Sequence, residues 1–136
     1  MAKKHILMDG ATGSCLWEKT ENKLPVWRYN IENPAIVSEL HREYIDAGCD
    51  IILSNTFCGN SASVKGVEYS AADAVREGVR LAKAAKAEAA RGILVGLDIG
   101  PLTGLLKPFG DISQGECSAL YHEQIGAGMA EKPVEE

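Results

Sequence analysis

The stretch AGCDIILSNTF, residues 47–57, joins the end of a predicted helix to a predicted strand and a polar turn. Gly48 is well placed to end a helix in a left-handed conformation. The apolar run Asp50–Leu53 indicates a strand buried on both faces, because it lacks the alternation of a half-exposed strand. The polar segment Ser54–Thr56 follows at its end. The stretch therefore predicts one unit of an α/β protein.

The helix before this stretch begins at Asn33 and Pro34, an N-cap residue type followed by proline in the first turn. Its apolar side chains share one face: Ile36, Val37, Leu40, Tyr44 and Ala47. Two more apolar runs, Ile6–Met8 and Ile93–Leu97, predict strands on either side of the first unit. A long loop is expected between Asp9 and Asn33, and it contains Trp17 and Trp27, a residue type that commonly covers a barrel mouth.

Two capping boxes, Ser70–Asp73 and Ser113–Glu116, each open a further predicted helix. The first helix is expected to run to about Ala90 and to be stopped by Gly92. Its small inner face consists of Ala71, Ala74, Val75, Gly78, Ala82 and Ala85. The second is expected to carry its apolar residues on one side: Cys117, Leu120, Tyr121, Ile125 and Met129.

Strands that alternate with helices predict a parallel sheet covered by helices. Right-handed crossovers place the carboxyl ends of all the strands on one edge, where α/β folds bind their ligands. The segments that follow the three strands, Asp9–Gly13, Ser54–Phe57 and Asp98–Pro101, are therefore expected to meet there.

Each candidate residue has a structural explanation beside a functional one. Asp9 before a glycine is often a turn former, but a second aspartate, Asp98, in the equivalent place favours binding. Asn55 and Thr56 suit a substrate carboxylate, and turn hydrogen bonds explain them equally well. Cys58 follows the second strand on the same edge, although a lone cysteine is usually a small buried residue.

Two histidines and two glycines carry weaker signals. His41 and His122 lie within predicted helices, where partly exposed or interfacial positions are expected rather than catalytic ones. Gly10 and Gly13 lack the third glycine of a dinucleotide fingerprint and the lysine of a phosphate loop.

Composition excludes several classes of protein. The 136 residues carry 14 Lys and Arg against 19 Asp and Glu, a net charge of −5, and the basic residues are scattered, so nucleic acid is not an expected partner. No apolar run is long enough to cross a membrane or to form a secretory signal, so a cytoplasmic protein is expected. The four cysteines lack a CxxC pair, which favours reduced thiols.

Three motifs together resemble the homocysteine S-methyltransferase family: LMDGATGS, YNIENPAIVSELHREYIDAGCDIILSNTF and GLDIGPLTGLLKPFGDIS. The family includes the homocysteine-binding domain of cobalamin-dependent methionine synthase and the betaine- and S-methylmethionine-dependent enzymes. The resemblance runs from about Ile6 to Gly128. It implies a partial (β/α)₈ TIM barrel made of about the first three βα units. Residues 4–130 would form this N-terminal portion, and residues 131–136 a truncated tail.

The resemblance also implies a methyltransferase reaction in which the zinc-bound thiolate of homocysteine takes a methyl group and becomes methionine. Asp9 would hold the substrate ammonium group, and Gly10 and Ala11 would supply backbone contacts. Asn55 and Thr56 would bind the amino-acid end. Gly100 and Pro101 would shape the wall of the pocket.

The family's zinc-binding cysteines lie in Asn-Cys and Gly-Gly-Cys-Cys segments that do not occur in this sequence. We therefore assign no catalytic residue and no metal ligand, and we expect the chain alone to be inactive and marginally stable or self-associating. The methyl donor, whether a corrinoid, folate, betaine or S-methylmethionine, and any separate donor domain stay open. Small departures from the family pattern occur at Thr12, Ser54 and Cys58.

Two other hypotheses are kept. The chain could be a non-catalytic amino-acid-binding or assembly module, including one half of a split barrel enzyme that pairs with a separate C-terminal half. A weaker alternative is an unrelated α/β domain that binds phosphorylated ligands.

Overall fold

The computed structural model describes residues 5–130, so Lys4 and the predicted tail, residues 131–136, lie outside the described residues. The structure is a mixed α/β arrangement in which helices pack around a small parallel sheet. The elements in chain order are α1 Thr12–Glu18, a 3₁₀ turn Val26–Arg28, α2 Tyr29–Glu32, α3 Pro34–Asp46, β1 Ile51–Leu53, α4 Ala71–Glu88, β2 Leu94–Gly96 and α5 Gln114–Met129.

The three predicted strand segments lie side by side and point the same way, although only β1 and β2 form a sheet. β1 and β2 are parallel, with Ile51 opposite Leu94. On the other side of β1, Met8 forms a single parallel bridge with Ile51. The predicted strand Ile6–Met8 is thus wrong beyond that bridge. The Leu7 N–H, which a longer ladder would use, donates instead to the Asp50 carboxylate at 2.9 Å.

The three long helices begin where their sequence signals predict. Pro34 occupies the first turn of α3, although the Asn33 side chain makes no capping bond. Ser70 and Ser113 both form complete capping boxes, at α4 and α5. Gly48, after α3, has φ 105°, the left-handed conformation expected of it.

The end of α4 and the first loop differ from prediction. α4 ends at Glu88, slightly before the expected end near Ala90, and Ala89 is already extended. Arg91 holds the chain beyond it by donating to the Ile45 carbonyl at 2.7 Å, at the end of α3. The expected long loop contains α1, the 3₁₀ turn and α2, because Leu16 is completely buried and anchors α1 in the core.

Among residues 5–130, two clusters of buried apolar side chains include residues of α3. One joins the end of α3 to the sheet and α4: Ile45, Cys49, Ile52, Ala82, Ala85 and Ile93. The other joins α1 and α2 to α3 and α4: Leu16, Tyr29, Val37, Leu40 and Leu81. The predicted inner face of α4 is buried throughout. All four cysteines lie within residues 5–130, and none of them forms a disulfide.

Two predictions about helix faces are correct only in part. On α3, Val37 and Leu40 are buried as predicted, but Ala47 is exposed. His41, expected to be partly exposed or interfacial, is only 1% exposed and lies on the buried side, whereas His122 is exposed.

On α5, the buried residues are Gln124 and Ala127, while Met129 is 78% exposed. Gly128 explains this choice of face, because a Cβ there would lie 2.8 Å from the Leu97 side chain. The small residues Ala127 and Gly128 let α5 approach closely. Leu120 and Tyr121 are half-buried on the same side, whereas Ile125 and Met129 turn outward.

Within residues 5–130, none of the helices has the length and apolar character needed to span a membrane.

Candidate functional site

The segments that follow Met8, β1 and β2 meet at one edge of the sheet and border a cleft of about 530 Å³. Asp9, Gly10, Ala11 and Asn55, four of the predicted site residues, line this cleft together with Asp98. Because parallel neighbours end at the same edge, residues that are more than 40 positions apart in the chain become one wall.

Asp9 presents a carboxylate with one oxygen committed and one without a partner. Its Oδ2 accepts from the Leu53 N–H at 2.8 Å, which ties the first segment to the end of β1. Its Oδ1 is buried and has no hydrogen-bond partner, and the whole residue is only 9% exposed. Burial raises the pKa of Asp9, the Leu53 N–H opposes that shift, and the nearby Asp98 charge adds to it. A buried, unpaired carboxylate oxygen is suited to a cationic ligand.

Asp98 is the second carboxylate in the cleft, and burial raises its pKa. Its backbone is fixed by side chains from two other elements. The Thr56 hydroxyl donates to its carbonyl at 2.7 Å, and its N–H donates to the Ser54 hydroxyl at 3.2 Å. Burial disfavours the charged forms of both carboxylates. A cationic group bound in the cleft would stabilise those charged forms.

Asn55 is held by a reciprocal pair of side-chain amides. Its Nδ2 donates to the Val26 carbonyl at 2.7 Å and to Asn30 Oδ1 at 2.8 Å. Asn30 Nδ2 donates in return to the Asn55 carbonyl at 2.7 Å and to the Ala74 carbonyl at 2.9 Å. Both asparagines are buried, so this network fixes Asn55 in one orientation beside the cleft.

Thr56, Gly100 and Pro101, the other predicted site residues, do not line the cleft. Thr56 is completely buried and its hydroxyl is engaged by Asp98 and Ser54. Gly100 packs under the loop after β1, since a Cβ there would lie 2.9 Å from the Cys58 nitrogen and the Phe57 ring. The Pro101 carbonyl accepts from Cys58 Sγ at 3.2 Å. These three residues therefore support cleft residues from behind.

Aromatic side chains and a cysteine complete the wall. Trp17, Trp27 and Phe57 border the cleft, as the position of the tryptophans in the first loop suggested. Cys58 also borders it and has φ 55°, an uncommon conformation for a residue other than glycine. Burial, and secondarily the Asp98 charge, raises the pKa of the Cys58 thiol.

The Gly10 segment is held from α3. Tyr44 Oη donates to the Gly10 carbonyl at 2.7 Å, and the tyrosine also lies 3.6 Å from Cys15 Sγ. Burial is the main reason that the pKa of Tyr44 rises to about 12, so the phenol keeps the proton that it donates. The following residue, Ala11, has φ 20° at the start of α1.

Three residues that hold the site were missed by sequence reasoning: Asn30, Tyr44 and Gln124. Gln124 Nε2 donates to the Thr56 carbonyl at 2.7 Å and to the Asp98 carbonyl at 3.2 Å, so α5 links the ends of β1 and β2. Its position four residues after Leu120 and three before Ala127 marks it as a polar residue on an inward face. Asn30 and Tyr44 offered no comparable signal.

The described residues do not fit a metal site by themselves. Among residues 5–130, no three His, Cys, Asp or Glu side chains come together in a way that could hold a metal ion. His41 is buried in α3, away from the cleft lining, and burial lowers its pKa to about 4.

Comparisons with known proteins give a family and a fold. Residues 6–135 match the family model described as homocysteine S-methyltransferase. A comparison with curated protein sequences gives no match.

Solved structures that the chain resembles include forms of the homocysteine methyltransferase MmuM from Escherichia coli. The metallated form is 21% identical with a TM-score of 0.76, over 96% of this chain and 52% of that one. The oxidized form is 18% identical with a TM-score of 0.78, over 97% and 51%. The chain therefore spans about half the length of these structures, and at such identities they establish the fold alone.

Proposed function

Because the chain belongs to the homocysteine S-methyltransferase family, we propose that its cleft binds the amino-acid end of homocysteine for methyl transfer to the sulfur. The observation that carries this proposal is Asp9 Oδ1, a buried carboxylate oxygen without a partner on the wall of the cleft. The ammonium group of an amino acid would supply both the charge and the hydrogen bond that this oxygen lacks.

The other site residues take supporting roles in the proposal. Gly10 and Ala11 border the cleft with little side chain and leave their backbone accessible to the substrate. Asn55 contacts the amino-acid end, and Thr56 acts by holding the Asp98 backbone. Gly100 and Pro101 keep Phe57 and Cys58 in place and so shape the wall.

We place the three parallel segments as the first three βα units of a (β/α)₈ barrel. Their parallel order and the helix that connects β1 to β2 support this assignment. The site then lies at the carboxyl ends of the strands, as in other barrels of this type.

In the proposed reaction, the homocysteine sulfur forms a bond to the methyl carbon as the bond between that carbon and the donor breaks. The family resemblance implies that zinc activates the sulfur, but the described residues hold no set of metal ligands. The role proposed for residues 5–130 is therefore to bind and orient homocysteine. The donor, among corrinoid, folate, betaine and S-methylmethionine, is left to other parts of the enzyme.

The binding role is tested by calorimetric titration with L-homocysteine under reducing conditions. 4-Mercaptobutanoic acid, which has the thiol and carboxylate but no ammonium group, is the matched ligand. We expect L-homocysteine to bind at least about tenfold more tightly and Asp9→Asn to remove most of that difference. Asp46→Asn, an exposed position at the end of α3, is the control and should bind like wild type. Equal affinity for the two ligands would refute the proposal.

Exposed apolar residues in the two outer segments of the sheet favour a second candidate, an assembly role. Met8 and Leu94, on the two sides of β1, are 57% and 61% exposed. We propose that these two outer segments pair with further barrel strands, supplied by a second copy or by a separate C-terminal half. Sedimentation of the chain as a monomer over a wide concentration range, with and without a C-terminal half, would contradict this role.

Methionine formation by residues 5–130 alone would contradict the purely binding role.

A further inference from the structure

We propose that Cys58 is a covalent modification site, at which the disulfide form of a thiol amino acid is captured as a mixed disulfide inside the cleft. The inference rests on the proposed function, because it uses the same recognition of an amino-acid ammonium group. Its ligand is a different chemical class, the oxidised dimer of the amino acid, for which homocystine is the nearest example.

Cys58 differs from the other cysteines in its position relative to the cleft. Cys58 borders the cleft, and its thiol donates to the Pro101 carbonyl at 3.2 Å. Cys49 is buried in the core, and Cys15 and Cys117 are not among the residues that line the cleft. Of the four cysteines, Cys58 is therefore the one that a ligand in the cleft can contact.

A second, independent observation indicates what the ligand is. Asp9 is more than nine-tenths buried, borders the same cleft and has an oxygen with no partner. Asp98 and Cys58 border the same cleft as Asp9. An amino acid whose ammonium group pairs with Asp9 would therefore have its sulfur-bearing side chain in the cleft that Cys58 borders.

The reaction is thiol–disulfide exchange and needs no further oxidant. Cys58 Sγ loses its proton and attacks one sulfur of the amino-acid disulfide. A bond forms between Sγ and that sulfur as the original S–S bond breaks. The electron pair leaves with the second sulfur, which takes up a proton and departs as the free thiol amino acid. The protein thiol is oxidised and one half of the ligand is reduced.

The electrostatics of the cleft favour a disulfide that carries an ammonium group over one that carries none. The raised pKa of Cys58 keeps the thiol protonated and slows its reaction with unguided disulfides. A bound ammonium group would offset the negative charge of Asp98 and Asp9 and lower that pKa. The ligand that fits the cleft would thus also activate the thiol. The adduct would then fill the cleft and block homocysteine until a free thiol reduced it.

The test follows the adduct at each cysteine by peptide mass spectrometry after incubation with L-homocystine or with uncharged bis(2-hydroxyethyl) disulfide. We expect Cys58 to react at least about tenfold faster with L-homocystine, whereas Cys15 and Cys117 show no such preference. L-Homoserine, which carries the ammonium group but no sulfur, should slow the reaction at Cys58 only. Asp9→Asn should remove the preference for L-homocystine.

Equal rates with the two disulfides at Cys58, or no protection by L-homoserine, would overturn the inference and leave an ordinary exposed thiol. Cys58→Ser, with Cys117→Ser as its control, separates this result from the proposed function. If Cys58→Ser still binds L-homocysteine while wild type forms no adduct at Cys58, the inference fails and the proposed function stands. If neither binding nor adduct is seen, both fail.

Discussion

Replacing Gly78 with alanine should disrupt the asparagine network beside the cleft, although alanine is the better helix former. Gly78 lies in the middle of α4 and is buried against the segment that follows β1. A Cβ at this position would lie 2.6 Å from Asn30 Nδ2, 2.9 Å from Thr56 Cγ2 and 3.2 Å from the Asn55 carbonyl oxygen. The first two distances are shorter than van der Waals contact, so the asparagine pair has to move.

The expected magnitude follows from the bonds at risk. Asn30 Nδ2 makes two buried hydrogen bonds, to the carbonyls of Asn55 and Ala74. Leaving a buried donor unsatisfied costs about 1–3 kcal/mol for each bond, so losing both costs about 2–6 kcal/mol. Alanine recovers about 1 kcal/mol of helix propensity. The net free energy of unfolding should therefore fall by about 1–5 kcal/mol.

Gly126 provides the matched control, because it is also a glycine inside a long helix. A Cβ there would meet no heavy atom within 4 Å, and the position is exposed. Gly126→Ala should stabilise the protein by up to about 1 kcal/mol.

Urea unfolding followed by circular dichroism measures both variants. The argument would be refuted if Gly78→Ala were as stable as wild type, or if it gained stability as Gly126→Ala does. Gly78→Ala should also weaken L-homocysteine binding, since Asn55 borders the cleft.

Three further predictions concern pH and capping. Because the pKa of buried His41 falls from 6.5 to about 4, the unfolded state takes up the proton first as the pH falls. As the pH falls from 6.5 to about 4, the free energy of unfolding should drop by about 3 kcal/mol. An NMR titration in which the His41 imidazole has a pKa near 6.5 in the folded protein would contradict this. Because the pKa of Asp9 is raised above 3.8, L-homocysteine affinity should decline as acidification passes through the raised value, and a flat calorimetric pH profile would argue against the ion pair. Ser70→Ala should cost about 1 kcal/mol in urea unfolding by removing the cap of α4, and a loss no greater than that of the exposed mid-helix control Ser118→Ala would count against it.

Local chemistry accounts for the parts of the fold that could be predicted from the sequence. The capping boxes at Ser70 and Ser113, the proline that opens α3 and the left-handed Gly48 depend on neighbouring residues along the chain. The meeting of Asp9, Asn55 and Asp98 at one cleft was also predictable, because parallel strands end at a common edge.

Packing decided what the local signals could not. The second half of the α5 face, Ile125 and Met129, was mispredicted because Gly128 allows a close approach to Leu97, an effect that apolar periodicity does not include. His41 is buried because α3 meets neighbours on more than one side, which the sequence of a single helix does not reveal.

The sequence by itself determined where the long helices begin, the parallel order of the strand segments and the family. The tertiary structure alone decided how the site is held, through Asn30 against Asn55, Tyr44 against Gly10 and Gln124 across the ends of β1 and β2. The physical reason is the separation along the chain between the groups that bond to each other. Caps and turns are satisfied within a few residues, whereas a buried amide is satisfied by whichever backbone group folding brings within hydrogen-bond distance, here up to 68 positions away in the chain.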